Sequence, residues 1–162
     1  MASASAPPAE PVPPDLAPME LALHEARAAA ELDEVPVGAV LVDSASGELL
    51  ARAHNRVEAL HDPTAHAEML AIAAAARRLG LKRLTGADLY VTLEPCPMCA
   101  AAISLARLRR LYFGAYDAKS GGVEHGPRIF EQPTCHHRPE VIGGLQETRC
   151  AALLKDFFAA RR

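Results

Sequence analysis

The chain has 162 residues, 23% of them charged and 50% hydrophobic, with a formal net charge of −3. That is the makeup of one soluble domain with room for a core, and it excludes a disordered or fibrous chain. No apolar run approaches the roughly 20 residues of a spanning helix, and the N-terminus lacks the basic start and apolar middle of a signal peptide, so no membrane contact and a cytoplasmic address are expected. The charge is uneven: residues 1–35 hold seven acids against Arg27, a net −6, and the remainder holds 16 basic and 13 acidic groups, a net +3. Such a surplus suits a local nucleic-acid-facing patch as well as it suits a merely solvated face.

Residues 1–18 carry six of the thirteen prolines, five alanines and no lysine or arginine. This composition cannot pack, so it reads as a disordered extension to a domain spanning 19–162, and the missing arginine argues against a mitochondrial presequence. Over 19–32, Leu21, Leu23, Ala26 and Ala30 recur among charges as in an amphipathic helix. The β-rich runs 37–42 and 49–53, joined by Ser44-Ala45-Ser46-Gly47, read as an antiparallel hairpin ended by Asn55. A helix over 64–79 is expected, with Thr64 as its cap after an Asp62-Pro63 turn and Gly80 as its stop. A buried strand at 89–93 leads into a helix opened by Cys96 and Pro97 and running to about 106. Strands at 110–115 and 141–145 follow, then a closing helix at 147–160 with Leu153, Leu154 and Phe157 turned inward. Strand, helix, strand with short connections requires a parallel crossover. The expected fold is therefore α/β, a three-layer α/β/α sandwich on a mixed sheet of roughly five strands.

Two short runs carry the chemistry: His66-Ala67-Glu68 and Pro95-Cys96-Pro97-Met98-Cys99. Zinc favours neutral imidazole and thiolate, and a catalytic site uses three protein ligands and leaves a fourth position for water. His66, Cys96 and Cys99 make that three. The two cysteines sit three apart, so on a helical first turn their sulfurs point the same way, and the positive end of the helix favours their thiolates. Residues two apart face opposite sides within a helix, so His66 and Glu68 share a metal site only at a helix start. Glu68 is then the carboxylate that takes a proton from zinc-acidified water and returns it to a leaving amine. The plain alternative has His66 capping a helix, Glu68 solvated and the cysteines in a redox pair or a structural zinc site. A structural site wants a fourth ligand, and a redox pair leaves the HxE run unexplained. Cys135 and Cys150 read as ordinary thiols, and the cluster Cys135-His136-His137 is too short on its own to define a second metal site.

The HxE and PCxxC runs together are the signature of zinc deaminases. With EVPVGAVLV at 34–42, HNR at 54–56, HDPTAHAE at 61–68, YVTLEPCPMCA at 90–100 and DFF at 156–158, the chain resembles the bacterial tRNA-specific adenosine deaminases, the TadA family of the cytidine deaminase-like superfamily, from about residue 19 onward. The superfamily runs fix the reaction class. The words Thr92-Leu93-Glu94, Phe113-Gly114-Ala115 with Asp117 and Lys119, and Asp156-Phe157-Phe158 favour the tRNA enzymes. The resemblance implies the superfamily's α/β/α sandwich, one zinc per chain, and attack of zinc hydroxide on C6 of the wobble adenosine with Glu68 as proton shuttle, giving inosine in the anticodon loop of an arginine tRNA. It implies that Asn55 contacts the base or its sugar and that Ala67 and the backbone near Cys96 line the pocket, with Pro36, His54 and Thr92 as further pocket candidates. Asp117, Lys119, Phe158, Phe157, Arg161 and Arg162 are the implied RNA contacts, although Phe157 reads equally as core and the arginines as complements to a helix dipole. Family members are homodimers, and Met98, Ala101, Ala102 and Leu105 offer either such an interface or plain core. The chain departs from the family pattern at Tyr116 and over Gly121-Gly122-Val123-Glu124-His125-Gly126-Pro127, which keeps a free purine or nucleoside deaminase, guanine deaminase-like, as the alternative. Glu68 itself argues against a non-catalytic RNA-binding subunit.

Overall fold

A computed structural model describes residues 17–162. The expected extension at 1–18 lies outside the described residues except for its last two, and Pro18 already occupies the first position of a helix, where its missing N–H costs nothing. In chain order the elements are α1 (Pro18–Glu31), β1 (Gly38–Asp43), β2 (Leu49–His54), α2 (Val57–Leu60), α3 (Ala67–Leu79), β3 (Ala87–Leu93), α4 (Pro97–Leu105), β4 (Arg110–Ala115), β5 (Glu140–Ile142) and α5 (Glu147–Ala159), with a 3₁₀ turn at Ile129–Glu131.

The sheet runs β2-β1-β3-β4-β5. β1 is antiparallel to both its neighbours, and β3, β4 and β5 run parallel, so the expected mixed five-stranded sheet is present. Alternation along the strands divides the core in two. Leu41, Leu89, Val91, Leu111 and Phe113 pack with Ala71 and Ala75 of α3 and Ile103 of α4. Val40 and Val42 face the other way, toward Leu21 and Leu23 of α1 and Cys150 of α5. Alanines on α3 let that helix lie close to the sheet, and burial of these apolar faces is the main force holding the layers together.

Several boundaries differ from the sequence expectation, each for a local reason. α3 starts at Ala67, with His66 in the cap position, because the Asp62 carboxylate claims both the N–H and the hydroxyl of Thr64 (2.8 and 2.7 Å) in a turn of its own. α2 was not expected, since four residues show no periodicity. The buried Glu34 carboxylate accepts the Glu58 and Ala59 N–H groups at 3.2 and 2.7 Å and caps it from 24 and 25 positions away. β5 ends at Ile142, not 145, where Gly143 and Gly144 turn the chain, the latter at φ +82°. In α1 the buried stripe runs through Ala22, Ala26 and Ala29, and Ala30 is half-buried. As expected, Gly80 stops α3 in a left-handed conformation and Pro97 opens α4.

Strand register brings the site together. Gly38 at the start of β1 lies opposite His54 at the end of β2, Ala39 opposite Val91, and Leu93 beside Ala115. The ends of β2, β3 and β4 therefore open on one edge of the sheet, and α3 and α4 both begin there.

Candidate active site and metal centre

His66 caps α3 and Cys96 caps α4, so two helix N-termini converge on one point. His66 Nδ1 lies 3.6 Å from Cys96 Sγ and 3.5 Å from Cys99 Sγ. Zinc with bonds of about 2.1 Å to nitrogen and about 2.3 Å to sulfur, at a tetrahedral angle, holds those atoms about 3.6 Å apart. The trio thus fits the ion without rearrangement, and it is the one such cluster among the described residues. Without metal, hydrogen bonding from Cys99 draws the Cys96 thiol down to about 4 against the opposing effect of burial, with His66 contributing. The Cys99 thiol is pushed up, first by its bond to Cys96 and then by burial. Cys96 is thus the sulfur more readily ionised, and both cysteines would hold the metal as thiolates.

A cavity of about 670 Å³ opens beside this trio, lined in part by six carboxylates: Asp33, Glu34, Glu58, Glu68, Glu94 and Asp117. Most are already committed. Glu34 caps α2, Asp33 takes the Arg161 guanidinium at 2.6 Å, Asp117 accepts the Lys119 and Ser120 N–H groups, and Glu94 is saturated by loop donors. Glu58 is exposed. Glu68 differs: it is 4% exposed, and its hydrogen bonds come from its own N–H and the Cys99 thiol, not from an arginine or lysine. Burial raises its pKa above the ordinary carboxylate range. A metal-bound cysteine would have no proton to donate, so metal binding would free this carboxylate for proton transfer. A carboxylate whose proton affinity is raised by burial is better suited than an exposed one to accept and return a proton.

Asn55, 9% exposed, accepts the Ala67 N–H through Oδ1 at 2.8 Å. It thereby serves the α3 terminus beside His66, and its amide N–H₂, which has no hydrogen-bond partner among the described residues, is left for the cavity that Asn55 lines. Ala67 contributes that backbone bond and is itself buried. Pro36 is buried between Val35 and Val37, which do line the cavity. Thr92 is buried and bonds the Gly38 N–H at 3.1 Å, joining β3 to β1. His54 bonds the Asn55 carbonyl at 2.9 Å.

A second cleft of about 620 Å³ adjoins the first and shares Val35, Leu93, Asp117, Ser120 and Arg161 with it. Lys119, Tyr116, Phe158 and Arg162 complete its rim. Phe158 is 47% exposed and Phe157 8%, their rings meeting edge-on at 5.3 Å. Arg161 is occupied: its guanidinium sits 3.4 Å above the Phe157 ring and donates to the Phe157 carbonyl at 3.0 Å as well as to Asp33. The Cys135-His136-His137 run joins no metal cluster. Ser104 and Cys135 donate to the His137 carbonyl, and the His137 ring bonds the Leu108 carbonyl, so the run fastens the segment before β5 to the end of α4. Sequence reasoning missed the structural roles of Glu34 and Glu94, whose partners are backbone N–H groups of distant segments.

Residues 14–115 match the zinc-binding region of the cytidine and deoxycytidylate deaminases. The tRNA-specific adenosine deaminase of Agrobacterium fabrum is 60% identical over 144 residues, covering 89% of this chain and 93% of its own. A solved structure from a study of A-to-I editing by tRNA:A34 deaminases at the wobble position superposes with a TM-score of 0.82 at 61% identity, covering 85% of this chain and 98% of that one. The guanine deaminase of Nitrosomonas europaea shares the fold at a TM-score of 0.81 and 25% identity, covering 98% and 97% of the two chains.

Proposed function

The chain belongs to the tRNA-specific adenosine deaminases of the zinc-dependent cytidine and deoxycytidylate deaminase family, and from that premise we propose that it hydrolyses the wobble adenosine of a tRNA anticodon loop to inosine, releasing ammonia. The observation that carries the chemistry is the buried, unneutralised Glu68 beside the His66, Cys96 and Cys99 trio. Those three residues would hold one zinc per chain, which would make a water acidic enough to attack at C6. Glu68 would take one proton from the attacking water and pass it to the adenine ring nitrogen as the oxygen bonds C6, then carry the remaining hydroxyl proton to the amine, which leaves C6 as ammonia. The free amide N–H₂ of Asn55 orients the base, and the apolar walls from Val35 and Val37 exclude solvent around it.

The adjoining cleft supports the macromolecular substrate. Lys119 and Arg162 suit phosphate oxygens, and the exposed Phe158 offers a face on which a loop nucleotide stacks. An anticodon loop presents its base unpaired, which avoids most of the few kcal/mol needed to extrude a base from a duplex. By resemblance the substrate is an arginine tRNA and the enzyme a homodimer, with Met98, Ala101, Ala102 and the 76% exposed Leu105 as the α4 face between subunits. We take residues 19–162 as the deaminase domain, with α1 reaching one residue ahead of that boundary at Pro18. Among the described residues no helix is long and apolar enough to cross a membrane, in keeping with a cytoplasmic enzyme. The alternative, a deaminase of free guanine, draws on the shared fold and on the departure at 116–127. Zinc-loaded protein offered a wobble-adenosine stem-loop together with free adenosine and free guanine decides between them: inosine in the stem-loop alone is expected, and xanthine from guanine alone overturns the reading.

A further inference from the structure

One wall of the cavity, beside the metal trio, is a loop, and its fixing point is one buried side chain. Glu94 is 2% exposed and stands two residues before Cys96. Its Oε2 accepts three successive backbone N–H groups, from Val123, Glu124 and His125, at 3.3, 3.1 and 3.2 Å. Its Oε1 accepts the Asp117 N–H at 3.2 Å and the His125 ring Nδ1–H at 2.8 Å. Consecutive N–H groups converging on one oxygen form the kind of nest that proteins use for anions, here filled by the protein's own carboxylate.

The loop is shaped to that carboxylate. A Cβ on Gly121 would stand 2.2 Å from Glu94 Oε2 and 2.4 Å from the Asp117 carbonyl, and one on Gly122 would stand 2.5 Å from Pro97 N. Gly122 also donates to the Pro95 carbonyl at 2.8 Å. The segment that departs from the family pattern is therefore laid directly against the first turn of the metal-ligand helix. It carries Asp117 and Ser120 into the cavity wall and Lys119 onto the cleft rim.

We propose that Glu94 is a positioning residue for substrate: it anchors the 117–125 loop so that this loop forms the substrate-facing wall of the catalytic cavity, while the metal trio stands without it. This rests on the tRNA deaminase reading. A carboxylate is required because five donors converge on two oxygens. Glutamine would turn an N–H₂ toward donors and leave at least two of them unpaired, and aspartate falls short by one methylene.

The test uses zinc-loaded full-length protein and the variants Glu94→Gln, Gly121→Ala and the double variant, with three readouts: zinc content, amide hydrogen exchange at 117 and 123–125 without RNA, and steady-state kinetics on the wobble-adenosine stem-loop. The expected result for Glu94→Gln is unchanged zinc, exchange at those four amides faster by about tenfold or more, and KM raised on the order of 10- to 100-fold with kcat within about threefold. Gly121→Ala, which displaces the same contact from the loop side, moves exchange and KM in the same direction, and the double variant is no worse than the more severe single one. Unchanged exchange and KM, or loss of zinc with kcat falling as far as kcat/KM, overturns the proposal. A parent protein that converts no stem-loop overturns the substrate reading instead, and exchange at the four amides still decides whether Glu94 holds the loop.

Discussion

The two walls of the catalytic cavity are built on different principles. The metal wall consists of two helix first turns, in which His66, Glu68, Cys96 and Cys99 lie within four residues of one another in each pair and point where helix geometry sends them. The other wall and the rim consist of a loop and a helix end tied by long-range bonds: Glu94 to the loop 23–31 residues on, and Arg161 to Asp33 across 128. The first wall is fixed by local sequence and serves chemistry common to a superfamily. The second depends on the assembled fold and is where we propose substrate choice is expressed.

The largest effect belongs to the metal wall. Cys96→Ala removes a ligand, and both zinc and turnover are expected to be lost, with metal content and inosine yield falling together. In the parent protein, zinc uptake displaces the Cys99 proton, so affinity weakens as pH falls. Calorimetric titration at neutral pH in buffers of different ionisation heat is expected to show net proton release.

The adjacent phenylalanines separate fold from rim. Phe157→Ala opens the buried face of α5 and lowers stability by about 3 kcal/mol in denaturant unfolding. Phe158→Ala leaves the unfolding midpoint nearly unchanged and weakens stem-loop binding by about 1–3 kcal/mol. Equal effects of the two on stability would erase the distinction between a core and a rim residue.

Glu68 itself ought to cost stability. Its folded pKa lies above the unfolded value because of burial, so the metal-free fold is favoured below about pH 4.5 and loses stability as pH rises through the raised value. Glu68→Gln escapes that loss. Metal-free Glu68→Gln is expected to be more stable than the parent at pH 8 and to match it near pH 4 in denaturant unfolding. The smallest effect is assigned to Asp33→Asn: its own side chain is 87% exposed and that of its partner Arg161 37%, and the ion pair contributes less than about 1 kcal/mol.

This contrast also marks what the sequence disclosed. The three metal ligands, Glu68 and Asn55 were readable because residue type and spacing carry their chemistry, and the sheet and helices followed from periodicity and from Gly80 and Pro97. Thr64 misled because a local turn outcompeted the helix for its hydroxyl. Glu34 and Glu94 were silent for the opposite reason: their partners are backbone N–H groups of distant segments, and nothing in a sequence marks which amides a fold will bring to a carboxylate. Arg161 was read as an RNA contact through resemblance, yet its guanidinium is engaged within the chain.

The central claim, that a buried carboxylate freed by metal binding does the proton work, is tested most directly by turnover of zinc-loaded Glu68→Gln on the wobble-adenosine stem-loop, with zinc measured on the same sample. A full complement of zinc with inosine formation reduced by about 10²- to 10⁴-fold is predicted. Retained zinc with turnover within tenfold of the parent would contradict it.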